Sequence, residues 1–383
     1  MMRLVALATL LLSALWAAAA PSVIVDCDAG QSLSRTLAKM DKLTPATVNI
    51  KGTCTEYVLV DGFNDLTLHG VQGATLQQPS TNPKSNLYVL SIKGSRGITV
   101  SGLAVHSLPS SIFSVIGISG GSNDVRLQNV TTDGSWGVVV AEASQVWLVK
   151  VTVNITSGYA AISAFDKSDV HIVDGLLQRP ANSNFNAGLL VGSGHVTMQG
   201  MTIRDLQQSI NVNSSGSVDL VNFDPTAAGV DVIVDNPSGT NFNGALVTDG
   251  SSLNLGSAKL RITNAGQPWG GDSGAVFVSN GSTLNAGANL IVSGSQGQGV
   301  IVSNDSHAEL AGSSITGGAH GGLVVVNLST VGVDGSNPLT VIGANATDLF
   351  CDSKSQIAGG LNIANATVVQ SNNLLPGNYE SLP

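Results

Sequence analysis

Charge is scarce in this chain of 383 residues: 11% are charged, 16 basic against 25 acidic, for a formal net charge of -9. Beyond Arg204 the basic residues are Lys259, Arg261 and Lys354 alone, so no basic stripe can follow a polyanion through the C-terminal half. Nucleic acid is therefore not an expected partner. Aromatic residues make up only 4%, which leaves the interior to aliphatic side chains. Downstream of Ala20 no apolar run approaches the roughly 18 residues of a membrane-spanning helix. Helical periodicity is missing too. Gly, Ser, Asn, Thr and Val crowd every segment, and the apolar period is two rather than 3.6, which argues against a helical repeat.

What is abundant is glycine, 45 residues, and a short recurring phrase. At Val278 to Leu284 it reads VSNGSTL, an inward aliphatic residue, a polar turn and a second aliphatic residue. It returns as VNSSGSV at Val212 to Val218, VTDGSSL at Val247 to Leu253, VSNDSHA at Val302 to Ala308 and VVNLSTV at Val325 to Val331. After each turn apolar residues alternate as in a half-buried strand, for example Val196, Met198, Met201 and Ile203. The first apolar residue after each turn serves as an anchor: Leu66, Ile98, Val125, Val146, Val170, Val196, Val218, Leu253, Leu284, Ala308, Val331 and Ile357. Their spacing, mostly about 21 to 27 residues, is that of a coiled solenoid with two or three short strands per rung. The pattern predicts an all-β parallel β-helix of about 11 to 12 coils over residues 57–370, with a tail over 371–383. In this register Val278, Val302 and Val325 point inward and stack.

The chain before the repeats reads differently. Met1 to Ala20 combines Arg3, an apolar run from Leu4 to Leu15 and small residues Ala17 to Ala20, the layout of a secretory signal peptide, assigned to residues 1–19. A product exported to the periplasm or outside the cell is expected. Residues 20–56 read as an N-terminal cap: a strand at Val23 to Val25, an amphipathic helix at Gln31 to Leu43 with Leu33, Leu37 and Met40 on one face, and a strand at Ala46 to Thr53. An open solenoid end exposes apolar surface and unpaired strand edges, which the helix would cover. Cys27 and Cys54 bracket that helix, and a disulfide between them would add roughly 3 to 4 kcal/mol. Cys351 stands six residues before Ile357, the place held by Val278, Val302 and Val325, and reads as a small core residue rather than a nucleophile.

The export signal, the cap helix followed by Gly52 to Glu56 with its Cys-Thr-Glu, and coils such as IKGSRGITVSGLAVHS (Ile92 to Ser107) resemble the secreted right-handed parallel β-helix proteins of the pectin-lyase-like superfamily. The resemblance covers nearly the whole mature chain, is closest to secreted members without an assigned activity, and implies a right-handed coil. Pectate lyases, polygalacturonases, epimerases and phage tailspikes share that fold, so it carries architecture more strongly than activity. The hydrolase motifs are not matched: the nearest strings are Gly271-Asp272-Ser273 and Ala319-His320-Gly321, and there is no Arg-x-Lys. Nor is the acidic calcium cluster with a neighbouring basic residue that lyase chemistry requires.

Aligning the anchors places equivalent residues of adjacent rungs about 4.8 Å apart. Four positions before their anchors, Glu142 and Asp166 fall on neighbouring rungs, close to the spacing of a retaining glycosidase pair or of two oxygen ligands for Ca2+. The plainer reading is two solvated turn carboxylates with Lys167 alongside. In the same column Asn280, Asn304 and Asn327 are expected to form an amide ladder or to hold a left-handed turn. In the loops that lead to the next rung, Phe113, Trp136, Tyr159, Phe185, Phe242 and Trp269 form an aromatic row whose faces would stack on sugar rings, the alternative being packing onto the solenoid flank. Longer loops at Gln178 to Ala187, Asp224 to Ala245 and Thr263 to Ala275 break the period beside that row. At their base His106, Asp133, Asn154, Gln178, Arg204 and Asp205 would line a groove, too dispersed for a single catalytic centre.

The expectation is an exported single-domain β-helix that binds a polysaccharide or oligosaccharide through Trp136, Tyr159, Phe185, Phe242, Trp269, Asp133, Arg204 and Asp205, with no cofactor unless Ca2+ occupies Glu142 and Asp166. A structural or adhesive surface protein without catalysis is the second reading. A lyase, hydrolase or epimerase with a sparse site at Glu142 and Asp166 is the third.

Overall fold

The structure is a computed structural model, and it describes residues 21–80, 88–108, 114–156, 158–179, 187–224, 229–236, 243–266, 273–334, 336–343 and 348–359, with the backbone alone of 361–362 and 368–370. Every paired strand runs parallel to its neighbour in a 13-stranded and a 22-stranded sheet. The larger sheet wraps two faces of the coil, because strands such as Gln145–Ile155 continue through a bend. One left-handed residue makes that bend, Lys150 here and Asp174 on the next rung. Each rung thus has three faces: face one in the smaller sheet, face two after the polar turn, and face three beyond the bend.

The anchor register holds throughout. Starting from Ala46, all twelve anchors stand in one column of paired residues, from Leu66 through Val146, Val170 and Val196 to Val331 and Ile357. None is more than 7% exposed. A second column on face one runs Val247, Val278, Val302, Val325 and Cys351, all buried. Aliphatic residues recur every second position because successive side chains of a strand alternate faces, and the parallel stack then sets like on like along the axis. Burial pushes the Cys351 thiol up to about 11, with the nearby Asp352 charge adding to it.

The polar part of the phrase has its own structural reason. A buried serine two or three residues before many anchors receives the backbone N–H of its counterpart in the preceding rung: Ser251 donates to Ser282 Oγ at 3.2 Å, Ser282 to Ser306 at 3.2 Å and Ser306 to Ser329 at 3.3 Å. The turn would otherwise bury N–H groups without partners. Asn280, Asn304 and Asn327 have φ of 57°, 54° and 58°, and their amides also form a ladder, Asn304 Nδ2 donating to Asn280 Oδ1 at 3.2 Å and Asn327 Nδ2 to Asn304 Oδ1 at 3.0 Å. Both roles expected of them are filled at once. At the corner into face one the coil closes too tightly for a side chain: a Cβ on Gly299 would collide with Ile315 and with the Gly322 carbonyl.

The cap is strand Ser22–Asp26, a helix, and strand Ala46–Thr55, which pairs with Leu66–Gln77, with one register shift between Lys51 and Thr53, and so is continuous with the solenoid. The helix spans only Leu33–Leu37, shorter than the expected Gln31 to Leu43. After Leu37 the bonds tighten to three-residue spacing, Lys39 to Thr36 and Met40 to Leu37, and Asp41 then accepts from the Leu43 N–H and the Thr44 hydroxyl to turn the chain. Leu33 and Leu37 are buried as expected. Glu56 explains the Cys-Thr-Glu sequence: its carboxylate accepts the Leu33 and Ser34 N–H groups at 2.7 and 3.1 Å and the Ser32 hydroxyl at 2.7 Å, satisfying the orphan donors of the helix start. Cys27 and Cys54 form the disulfide, with Cα atoms 5.1 Å apart.

Candidate functional site

The polar set at the base of the loops is one column on face three. His106, Asp133, Asn154, Gln178 and Arg204 are register partners on successive rungs, and the column continues to Asp235 and Thr263. Asp205 falls one position beyond it, in a left-handed bend at φ 56°. The side chains bind one another along the axis. His106 Nδ1 is 2.9 Å from Asp133 Oδ2, Asn154 Nδ2 donates to Asp133 Oδ1 at 2.6 Å, and Gln178 Nε2 donates to Asn154 Oδ1 at 2.8 Å. Arg204 pairs with Asp235 at 3.7 Å, and the Thr263 hydroxyl donates to Asp235 at 3.1 Å. This ladder stitches rungs together and leaves edges of half-exposed polar groups for a ligand to meet.

Glu142 and Asp166 do lie on adjacent rungs, as backbone partners: the Ala143 N–H donates to the Asp166 carbonyl at 2.9 Å. Both are exposed in left-handed turns, at φ 56° and 51°. The Glu142 carboxylate is engaged by the Gly120 N–H at 2.8 Å. No third His, Cys, Asp or Glu among the described residues joins them as a ligand group. The aromatic row is described at two of its members. Trp136 is half-buried against Ala160, Ala187 and Leu190, with its Nε1 buried and without a partner among the described residues. Tyr159 is 57% exposed and meets Trp136 edge-on, centroids 5.8 Å apart. Phe113, Phe185, Phe242 and Trp269 lie outside the described residues.

Face two carries a constellation that the sequence reading missed. The outward residue directly after each anchor is Arg126, Trp147, His171, Thr197, Asp219 and Asn254 on six successive rungs. The residue directly before is Gln145, Asp169 and His195 on three of them. These positions follow from the same anchors, one residue to either side of each. The Trp147 and His171 rings stack at 4.4 Å, and Phe223 closes over both at 5.9 and 6.2 Å. Phe223 comes from the chain that leaves strand Ser217–Leu220, a position no period marks. Buried Gln199 fixes it there: its Oε1 accepts the Phe223 and Asp224 N–H groups at 2.9 and 2.8 Å, and its Nε2 donates to the Asp224 carbonyl at 2.8 Å.

A cavity of about 250 Å³ results, lined by Arg126, Trp147, Phe223 and Asp224. Beside it runs a polar string. Asp169 contacts His171 Nε2 at 3.2 Å and His195 Nδ1 at 2.9 Å, and His195 Nε2 contacts Asp219 at 3.0 Å. Asn254 Nδ2 donates to the other Asp219 oxygen at 2.6 Å, and Asn285 to Asn254 at 2.7 Å. Burial alone would lower the His195 pKa, but the hydrogen bonds and charges of Asp219 and Asp169 outweigh it and raise it above the ordinary histidine value. Chemically the site offers an aromatic wall, one guanidinium and a row of carboxylates and amides.

No protein-family model matches the sequence, and no curated protein does. Among solved structures, the catalytic domain of a GH87 alpha-1,3-glucanase, a variant in complex with tetrasaccharides, is similar over 93% of this chain and 69% of that one, with a TM-score of 0.54 and 13% identity. The Dettilon tailspike protein gp208 is similar over 84% of this chain and 62% of that one, with a TM-score of 0.39 and 11% identity. No helix among the described residues is long and apolar enough to cross a membrane. With every rung parallel to the next and the glucanase domain superposing along nearly the whole chain, the molecule is in fold a parallel β-helix.

Proposed function

We propose that this is an exported carbohydrate-binding β-helix that takes an oligosaccharide or polysaccharide at the face-two pocket of Arg126, Trp147, Phe223 and Asp224. The observation that carries the reading is a 250 Å³ cavity walled by Trp147 and Phe223 and edged by an arginine and an aspartate, with His171 backing both rings. Sugar rings present apolar C–H faces and polar rims, and aromatic walls with a few fixed polar groups suit both. The glucanase domain of similar fold was captured with tetrasaccharides, which supports the ligand class and makes α-1,3-linked glucan oligosaccharides the first probes. The Cys27–Cys54 disulfide supports export, since such bonds persist in oxidising compartments.

The face-three ladder and Tyr159 give a second strip along which a long chain would run. Its side chains are already hydrogen-bonded to one another, which suits a contact surface better than a reaction centre. The test is a glycan array probed with the intact protein, followed by calorimetry on the best hits and a parallel assay of product release. Trp147→Ala and Phe223→Ala should each weaken binding roughly tenfold or more, as loss of an aromatic anchor does. Absence of binding to every glycan, or undiminished binding in both variants, would leave the structural or adhesive reading in its place.

A further inference from the structure

Two carboxylates hold the two ring nitrogens of His195. Nδ1 lies 2.9 Å from Asp169 Oδ1 and Nε2 lies 3.0 Å from Asp219 Oδ2. An ionised carboxylate only accepts hydrogen bonds, and a neutral imidazole has a single N–H, so both contacts are hydrogen bonds only when the ring is an imidazolium. The charged and titratable groups facing it are Asp169 and, beyond that, His171 on the preceding strand Asp169–Gln178, and Asp219 on the following strand Ser217–Leu220. On its own strand, His195–Arg204, the next outward residue is the neutral Thr197.

The two acids are tied down on their far sides. The second oxygen of Asp169 is 3.2 Å from His171 Nε2 and accepts from Gln145 at 3.5 Å, and that of Asp219 accepts from Asn254 at 2.6 Å. His171 in turn stacks on Trp147, the wall of the cavity, and lies under Phe223. The state of one proton therefore reaches the pocket through two contacts: His195 fixes Asp169, and Asp169 orients His171.

We propose that the proton on His195 is a switch for the aromatic pocket. While it is held, Asp169 is pinned between two imidazoles and His171 stays packed on Trp147 at 4.4 Å, the rings tilted by 31°. When it leaves, the ring keeps its Nε2–H towards Asp219 and turns a bare Nδ1 to Asp169, which swings away from His195, and the stack that walls the cavity loosens. Binding of sugar is strongest below the folded-state pKa of His195 and weakens as pH rises through it. This regulation rests on the reading of the pocket as a carbohydrate site, but the coupling of the two histidines does not.

The experiment has two arms on the intact protein. Long-range proton–nitrogen NMR of the imidazoles from pH 4 to 9 should show both His195 nitrogens protonated at low pH, a midpoint above about 6.5, and His171 ring shifts that follow the same midpoint. Asp219→Asn should move the His195 midpoint down and the coupled change in His171 shifts with it, and His195→Gln should remove that coupled change; the ladder is half-exposed, so both variants should fold. In the second arm, an α-1,3-glucan tetrasaccharide should bind roughly tenfold more weakly above the midpoint than below it, in the range of coupled sites. A singly protonated His195 at pH 5, or a His171 that ignores it, overturns the switch. A tetrasaccharide affinity that does not follow the His195 midpoint overturns it too. If neither the tetrasaccharide nor any array glycan binds at any pH, the carbohydrate reading falls, and the switch stands or falls on His171 alone.

Discussion

The rungs between Trp136 and Leu255 and those between Gly274 and Gly359 have the same interior, with anchors in one column and the Val140, Val247, Val278 and Val302 series in another. Their exteriors differ. The first stretch displays Trp147, Asp169, His171, His195 and Asp219 on face two, whereas the second displays the Asn280, Asn304 and Asn327 ladder at its turns and, on face two, His307 in contact with Glu309 and Thr330, each at 2.8 Å. Stability in such a stack is close to a sum of rung and interface contributions, so an interior that repeats spreads it evenly. Outward residues carry little of that duty and are where chemistry can differ from rung to rung. The difference teaches that position along the axis is irrelevant to the core and decisive for the surface.

The harshest way to break the comparison is to bury a charge in each half. Val140→Asp and Val302→Asp occupy the same fully buried column, and each should cost about 4 kcal/mol or more, the penalty of an uncompensated interior carboxylate. Urea titration of both variants checks this; a large loss in one and a trivial loss in the other would end the claim of a shared interior. Next in size are the two tryptophans of the first stretch. Trp136→Ala should cost about 2 kcal/mol, because its ring packs on Ala160, Ala187 and Leu190, while leaving glycan affinity near the wild-type value. Trp147→Ala should do the reverse, with a loss below about 1 kcal/mol and weakened binding.

Smaller still is Asn304→Ser, which removes two amide contacts in the exposed ladder and should cost about 0.5 to 1 kcal/mol. Cys351 offers a chemical check on the same half: with its pKa pushed to about 11, on the order of 0.1% is thiolate at pH 8, and iodoacetamide should label it only under denaturing conditions. Rapid native labelling would remove it from the core column.

The least effect, and the finest distinction, concerns pH. His195 has a raised folded pKa, so its contribution is fully present below about 6.5 and is lost as pH rises through the folded value. Asp352 goes the other way. Burial raises its pKa, but the N–H groups of Asn327, Lys354 and Ser355 and the Ser355 hydroxyl hold it lower on balance, so its contribution is present above 3.8 and lost as pH falls through the folded value. Hydrogen exchange followed by mass spectrometry, corrected for intrinsic rates, should show the first stretch loosening on the alkaline side and the second on the acid side. Both stretches loosening together would erase the contrast.

Much of the surface was legible in part. The face-three column, His106 through Arg204, came out of aligned spacing, because hydrogen-bonded ladders need like positions on adjacent rungs. Asp205 was placed in it in error of one residue, since a left-handed bend intervenes where the sequence shows only a continuous Arg-Asp pair. The aromatic row included Trp136 with flank packing as the alternative reading, and which residues its ring rests on, Ala160, Ala187 and Leu190, came only from the fold. Trp147 and His171 could have been paired from the anchors, but Phe223 could not: it belongs to an irregular segment whose course depends on the buried Gln199 amide.

The sequence by itself determined the interior, from the twelve anchors to the serine and asparagine turns and the core place of Cys351. A parallel stack forces each rung to repeat the last, so the rule that builds the core is written along the chain as a period. Only the tertiary structure decided the pocket and its histidine string. Which outward groups meet depends on side-chain direction, on which of two neighbouring columns a ring leans toward, and on where a non-repeating segment is clamped, and none of these leaves a periodic trace.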